Sequence, residues 1–408
     1  MSGTIARVLP DHVDARRVIG LRGLRGFVDG AASVVLPTYL ALLGLSTARV
    51  GAIATITMLG SAMATLTVAW VGRRWLRRHV LVGASVLMIL TGCGFALGRT
   101  FWLLVVVAFL GTLNPSSGDV SVFQPVEHAL LPQTAPDRDR TRLFARYSLV
   151  GSLLGAFGSL SVGLVAAIHH RGWTSEIAAL RIPFWLYTAV GVVSLVAYLR
   201  LSPEIEPTIG GEPGALGESR GIVLRLAALF SLDSFASGFT VQAMLALWLS
   251  LRFDLSVAVS GVVFFWTSLF TAASMLVSPW LADRIGLVRT MVFTHIPANL
   301  FLMAAALMPN AWLAVGCLLA RSVFATMDVP ARTSYVMAVV PPERRSAASA
   351  ITNVPRSLAA AAGPAMSGAL LARTTFGWPL IIAGSLKIVY DLELLRSFGS
   401  IRPPEEQA

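Results

Sequence analysis

Apolar residues gather into twelve long blocks separated by short polar breaks. The blocks cover 20–44, 48–71, 79–98, 101–131, 143–168, 181–201, 222–249, 256–282, 287–308, 311–340, 346–372 and 377–397. A membrane-spanning helix needs about 20 mostly apolar residues, so each block is long enough to span. The longest polar stretch runs from Ser202 to Arg220 and is rich in Pro, Gly and Glu. By composition it is a linker. The pattern predicts an all-α integral membrane protein of twelve transmembrane helices in two six-helix bundles, 1–201 and 221–408, joined by a 202–220 linker.

Composition sharpens this picture. Of the 408 residues 55% are hydrophobic and only 13% charged, about half the charge of an ordinary soluble domain. The spans use most of the chain, which excludes a large soluble domain, a disordered chain and a disulfide scaffold. Cys93 and Cys317 both lie inside apolar blocks, so no disulfide is expected. Met1–Val18 is polar and carries Asp11 and Asp14, unlike a cleaved signal peptide. No nucleotide-binding loop is present, so no cofactor is expected and ATP is not the energy source. His169-His170 is too weak a signal for a metal site, and no ligand set has diagnostic spacing.

The net charge of +11 reads as membrane orientation rather than nucleic-acid binding, because its placement is uneven. All the basic residues are arginine except Lys387. Eighteen arginines fall in the termini, linker and loops of one side, and six on the other. Positive charge favours the cytoplasmic side. Both termini and the linker are therefore expected in the cytoplasm, with the protein in the cell (inner) membrane.

The two halves also resemble each other. Ser46–Gly51 and Ser256–Gly261 share a spacing at an offset of 210, as do Trp70 with Trp280 and Arg74 with Arg284. Asp119-Val120 matches Asp328-Val329 at an offset of 209, and Gly158 matches Gly363 at 205. An ordered series of this kind points to parallel six-helix repeats, an architecture known in transporters.

On these residues the chain resembles the major facilitator superfamily. Leu281-Ala282-Asp283-Arg284-Ile285-Gly286 is similar to that family's signature at the end of the eighth helix, with Pro279 and Leu287 departing from it. The first-half copy, Trp70–Arg78, keeps its basic residues but has Arg73 where the family has Asp. Pro341–Ala347 resembles the loop after the tenth helix, and Arg321 stands where many members carry an arginine. The spacing is closest to drug-exporter-like members. The resemblance implies a cytoplasmic gate at Asp283, Arg284 and Gly286, and a central cavity lined by the first, fourth, seventh and tenth helices.

Asp29, Asp119, Asp233 and Asp328 lie on those four helices, each 13 residues from a cytoplasmic turn. At about 1.5 Å per residue that is about 20 Å, near mid-membrane. Intramembrane charges are costly and need a reason: transport, or structural ion pairs that hold the bundle. Arg22, Arg25, Asp29 and Ser33 share one helical face, and Arg25 can pair with Asp29. Arg321, Asp328, Arg332 and Tyr335 share another, with Asp328 four residues before Arg332. Asp119 and Asp233 have no base nearby in their own helices. Asp119, Asp233 and Asp29 are the candidate proton-coupling residues. Arg25, Asp328, Arg332, Arg321 and Gln242 are the candidate substrate-binding residues. Asn114-Pro115-Ser116-Ser117-Gly118 is either an ordinary kink or a break that lines the cavity. Glu127 and His128 read as an interfacial network, and the Lys387–Asp391 and His295 groups as structural.

These residues make a secondary transporter of a small organic solute the expected function, coupled to protons and exporting, acting as a monomer with the lipid bilayer and no nucleic acid as partner. Uptake or facilitated diffusion, and a sensor or assembly factor that moves nothing, are the alternatives. No nucleophile–base pair marks an enzyme.

Overall fold

A computed structural model describes residues 12–71, 76–116, 122–134, 140–202, 220–338, 340 and 345–399. The 72–75 part of the first-half motif, Asp119, nearly all of the linker and the 341–344 turn lie outside these residues. The described residues form sixteen α-helices and one 3-10 turn. In the first half these are α1 (Val13–Leu42), α2 (Thr47–Val71), α3 (Arg77–Leu97), α4 (Phe101–Leu110), α5 (Phe123–Leu130), α6 (Arg140–His170), α7 (Glu176–Leu180) and α8 (Ile182–Leu199). In the second they are α9 (Arg220–Gly238), α10 (Gln242–Phe253), α11 (Val257–Ile285), α12 (Leu287–Leu307), α13 (Ala311–Phe324), α14 (Asp328–Ala338), α15 (Arg345–Leu371) and α16 (Trp378–Phe398).

These elements make twelve spans in two bundles, because four of the spans are broken into pairs: α4–α5, α7–α8, α9–α10 and α13–α14. Eight spans are long and apolar enough to cross a membrane by length and composition alone. The other four are α1, the α4–α5 pair, α15 and α16. Three of these carry mid-span charges, at Arg22, Arg25 and Asp29, at Arg356, and at Lys387 and Asp391; the fourth is interrupted. The expected single helix over 101–131 is therefore corrected to two. Gly111 ends α4 in an extended conformation, and Asn114 Oδ1 accepts both the Ser116 backbone N–H (3.0 Å) and its hydroxyl (2.6 Å). Such a side-chain turn competes with the helical ladder. The freed Pro115 carbonyl accepts the Ala243 N–H of the other half at 3.1 Å, which satisfies a backbone group that lipid could not.

Glycine sets the closest helix approaches. A Cβ at Gly26 or Gly30 of α1 would strike the carbonyls of Gly151 and Gly155 of α6, and one at Gly158 would strike that of Phe27. In the second half Gly238 of α9 meets Ala360 and Gly363 of α15 in the same way. Between halves, Gly51 of α2 lies on Pro364 and Gly368 of α15, and Gly261 of α11 lies on Ser159 of α6. Small residues let membrane helices touch backbone to backbone, where packing rather than water drives association. The matched pairs Gly51/Gly261 and Gly158/Gly363 thus occupy matching contacts in the two repeats.

The halves meet toward the end that carries the α1–α2 and α10–α11 turns. There the Thr55 hydroxyl accepts the Ala365 N–H (2.8 Å), and Gln242 Nε2 donates to Ser159 Oγ (3.1 Å). Toward the other end, which carries the start of α1 and the end of α16, a cavity separates them.

Candidate functional site

The cavity holds about 760 Å³, within the range of about 300–1,000 Å³ typical of small-molecule sites. Its wall starts at Thr240 and Gln242 beside the closed end. It reaches Thr65 of α2, Met275 of α11 and Asn353 of α15, toward the opposite ends of those helices. Apolar Leu245, Phe264, Met275 and Leu318 share the wall with serines, threonines and charged groups. Of the residues singled out from sequence, Asp29, Ser116, His128, Gln242, Arg321 and Arg332 line it, so His128 is a wall residue and not interfacial; Arg25, Asp233 and Asp328 are not among the lining residues. Asp119 lies outside the described residues.

Behind the first-half wall sits one saturated carboxylate. Glu127 of α5 is fully buried and accepts Arg25 Nη2, the Tyr147 hydroxyl and the Tyr198 hydroxyl, each at 2.6 Å. Arg25 Nη1 donates to Tyr198 at 2.6 Å, and its guanidinium lies 4.3 Å from the Phe123 ring centroid. The expected Arg25–Asp29 pair is therefore corrected. Arg25 points to α5 because Glu127 offers it a buried, doubly hydrogen-bonded carboxylate, and charge-assisted bonds of that kind are the strong ones. Glu127 is not interfacial: with Arg25 it ties α1, α5, α6 and α8 together.

Asp29, a turn further along α1, is left facing the cavity. It is 7% exposed, its Oδ1 has no hydrogen-bond partner, and Arg22, Asn114 and Tyr187 are its polar neighbours. Among the described residues it makes no direct ion pair.

The second half places a larger cluster behind its wall. Asp233 of α9 accepts Lys387 Nζ of α16 at 2.7 Å and Arg332 Nη1 of α14 at 3.3 Å, with His295 Nε2 of α12 at 3.8 Å. Arg332 also pairs with Asp328 at 3.3 Å, as the four-residue spacing predicts. His295 Nδ1 lies 2.8 Å from Asp391, which also accepts Asn299 Nδ2 at 3.3 Å. Asp233 has no base nearby in its own helix but three basic groups across helices. The expectation that it lacks a partner is corrected, because spacing along one helix says nothing of what α12, α14 and α16 bring to it. Lys387 likewise serves Asp233 and not, as an i,i+4 neighbour would, Asp391.

Arg356 is a wall residue that the sequence reading did not name, and Arg22 is one that it named without assigning to the site. Arg356 sits mid-span in α15, where its Nε donates to Ser234 (3.1 Å) and Nη1 to Asn353 (3.1 Å). An arginine inside an apolar block was the available signal. Arg22 shares the face of Arg25 and Asp29, and that periodicity was its signal.

At the α11–α12 turn, Gly286 has φ +87°, a conformation that favours glycine, and its N–H closes on the Ala282 carbonyl at 2.9 Å. Asp283 and Arg284 are exposed, and the Arg284 guanidinium lies 4.2 Å from the Trp280 ring centroid.

Two bundles related by an internal repeat, closed on each other at one end and parted by a polar cavity at the other, define a multi-pass membrane transporter, not an enzyme. The model of the Major Facilitator Superfamily matches residues 19–364 and again 226–407, and the chain belongs to that family. It is 26% identical over 412 residues to an uncharacterized membrane protein of Saccharomyces cerevisiae, covering 92% of each chain. Among solved structures it is similar to the nucleoside transporter NupG, with TM-score 0.71, 14% identity, and 95% of this chain and 99% of that one covered. It is also similar to a bacterial homologue of the iron transporter ferroportin in an inward-facing state, with TM-score 0.71, 16% identity, and 94% and 98% covered. At these identities the solved structures establish the fold.

Proposed function

We propose that this protein is a proton-coupled secondary transporter of a small organic solute, with export as its working direction. The arginine excess supports a cytoplasmic location for the parted end with both termini, and on that reading the cavity is open inward. The observation that carries the coupling is Asp29, a buried carboxylate in the cavity wall with no direct ion pair among the described residues. A proton can neutralise it without stranding a partner cation. Neutralising Asp233 instead would take from Lys387 the carboxylate it bonds to, while Arg332 keeps Asp328, and a buried charge that loses its partner is costly. Asp233 therefore holds the second bundle together, while Asp29 carries the proton. The part assigned to Asp119 rests on sequence.

The test is solute-driven proton movement in inverted vesicles holding the full chain, read with a pH-sensitive dye across a panel of organic solutes. We expect flux with the native chain and downhill solute exchange without proton flux in Asp29→Asn. Undiminished proton flux in Asp29→Asn would remove Asp29 from the coupling step. Absence of any solute-driven or exchange flux would favour a protein that moves nothing.

A further inference from the structure

Resting on that reading of the cavity, we propose that the solute is an organic anion drawn to the second-half wall by the guanidinium groups of Arg321 and Arg356. Among the described residues the wall carries four arginines, Arg22, Arg321, Arg332 and Arg356, against one carboxylate, Asp29. Two of the four are engaged elsewhere. Arg332 is shared between Asp233 and Asp328 at 3.3 Å each, and Arg22 packs on Gly151 with its guanidinium 5.4 Å from the Tyr147 ring centroid.

Arg321 and Arg356 differ. Neither has a carboxylate partner among the described residues, and Arg321 Nε is buried with no hydrogen-bond partner at all. Among the described residues Arg356 donates to the neutral Ser234 and Asn353. A cation at mid-span is costly, so two without a carboxylate in direct contact mark a wall suited to a ligand that supplies the charge. Guanidinium forks match carboxylate and phosphate geometry. Ser234 and Asn353 fix the fork of Arg356 before the ligand arrives. Phe264, Leu245, Met275 and Leu318 on the same wall suit an apolar body. The ligand class is therefore a small amphipathic acid rather than a cation or a neutral polyol.

The experiment reads the charge of the cavity directly. Ser357, a wall residue next to Arg356, is replaced by cysteine in the full chain after Cys93→Ala and Cys317→Ala. In detergent, the thiol is then reacted with a sulfonate-bearing and a quaternary-ammonium-bearing methanethiosulfonate. The anion-to-cation rate ratio, normalised to a free thiol, is expected to rise at least about ten-fold, as in clefts lined by one sign of charge. It should fall toward one in Arg321→Gln and Arg356→Gln and recover in Arg321→Lys and Arg356→Lys, which keep the charge. Variants are scored only when monodisperse. Benzoate should slow the labelling while benzamide does not. A ratio at or below that of the free thiol, a ratio unmoved by the Gln variants, or equal or absent protection by the two probes would overturn the anion site. If the ratio and protection hold but vesicles show no solute-driven flux, the site stands and the transport reading fails. If flux is driven only by cations or neutral solutes, the anion inference alone fails.

Discussion

The two halves share their packing and differ in their charge. Gly158 against Phe27 and Gly363 against Gly238 are equivalent contacts, as are Gly51 and Gly261 between halves. Yet among the described residues the cluster behind the first-half wall has one acid, Glu127, answered by Arg25 and two tyrosines. The second stores three acids, Asp233, Asp328 and Asp391, interlocked with Lys387, Arg332 and His295. Packing constrains backbones, and both repeats must make the same rocking interfaces. Ion pairs need only local neutrality, so each bundle reached it differently. The lesson is redundancy: the first cluster has a single point of failure, and the second does not.

The largest effect expected from that contrast is on Glu127→Gln. It leaves Arg25 buried with no carboxylate, which costs about 3–5 kcal/mol, and it should lower the thermal unfolding midpoint in detergent steeply. Asp233→Asn should cost clearly less, because Asp328 still pairs with Arg332 and Asp391 remains in the same cluster as Lys387. Adding Lys387→Met to Asp233→Asn should recover stability, with a coupling of about 0.5–3 kcal/mol. Equal losses from Glu127→Gln and Asp233→Asn would break the comparison.

Next in size come the shared contacts. Gly30→Ala and Gly238→Ala each push a methyl into a backbone carbonyl of the facing helix, and overpacking of this kind costs about 1–3 kcal/mol. Similar losses in the two variants, measured as midpoint shifts, would sharpen the claim that packing is symmetric while charge is not; a loss in one alone would undo it.

The smallest stability effect belongs to Asp283→Asn. Asp283 is exposed here, so stability should change by no more than about 0.5 kcal/mol. Solute-driven proton flux should nonetheless slow, because the carboxylate is expected to clamp the α11–α12 turn only when the parted end closes. Normal flux in that variant would leave the motif without a gating part.

Much of this was legible in one dimension. Twelve apolar blocks, the glycine matches between halves and the Asp328–Arg332 pair are all local or periodic features, and the structure carries them at the expected places. The partners of Arg25, Asp233 and Lys387 were not legible, since each lies on another helix, far along the chain from the group it pairs with. Arg356 was visible as an anomaly in an apolar block, and its meaning came only from the wall it shares with Arg321.

The sequence by itself determined which segments enter the membrane and that they repeat, because the cost of burying a polar backbone or side chain in lipid is paid residue by residue. The tertiary structure alone decided which charges are answered and which are left facing the cavity. Pairing depends on distances between helices, and those follow from where glycine lets backbones meet. Asp29, Arg321 and Arg356 are therefore functional candidates for a reason no reading along the chain contains: among the described residues, none of them has a counter-charge in direct contact.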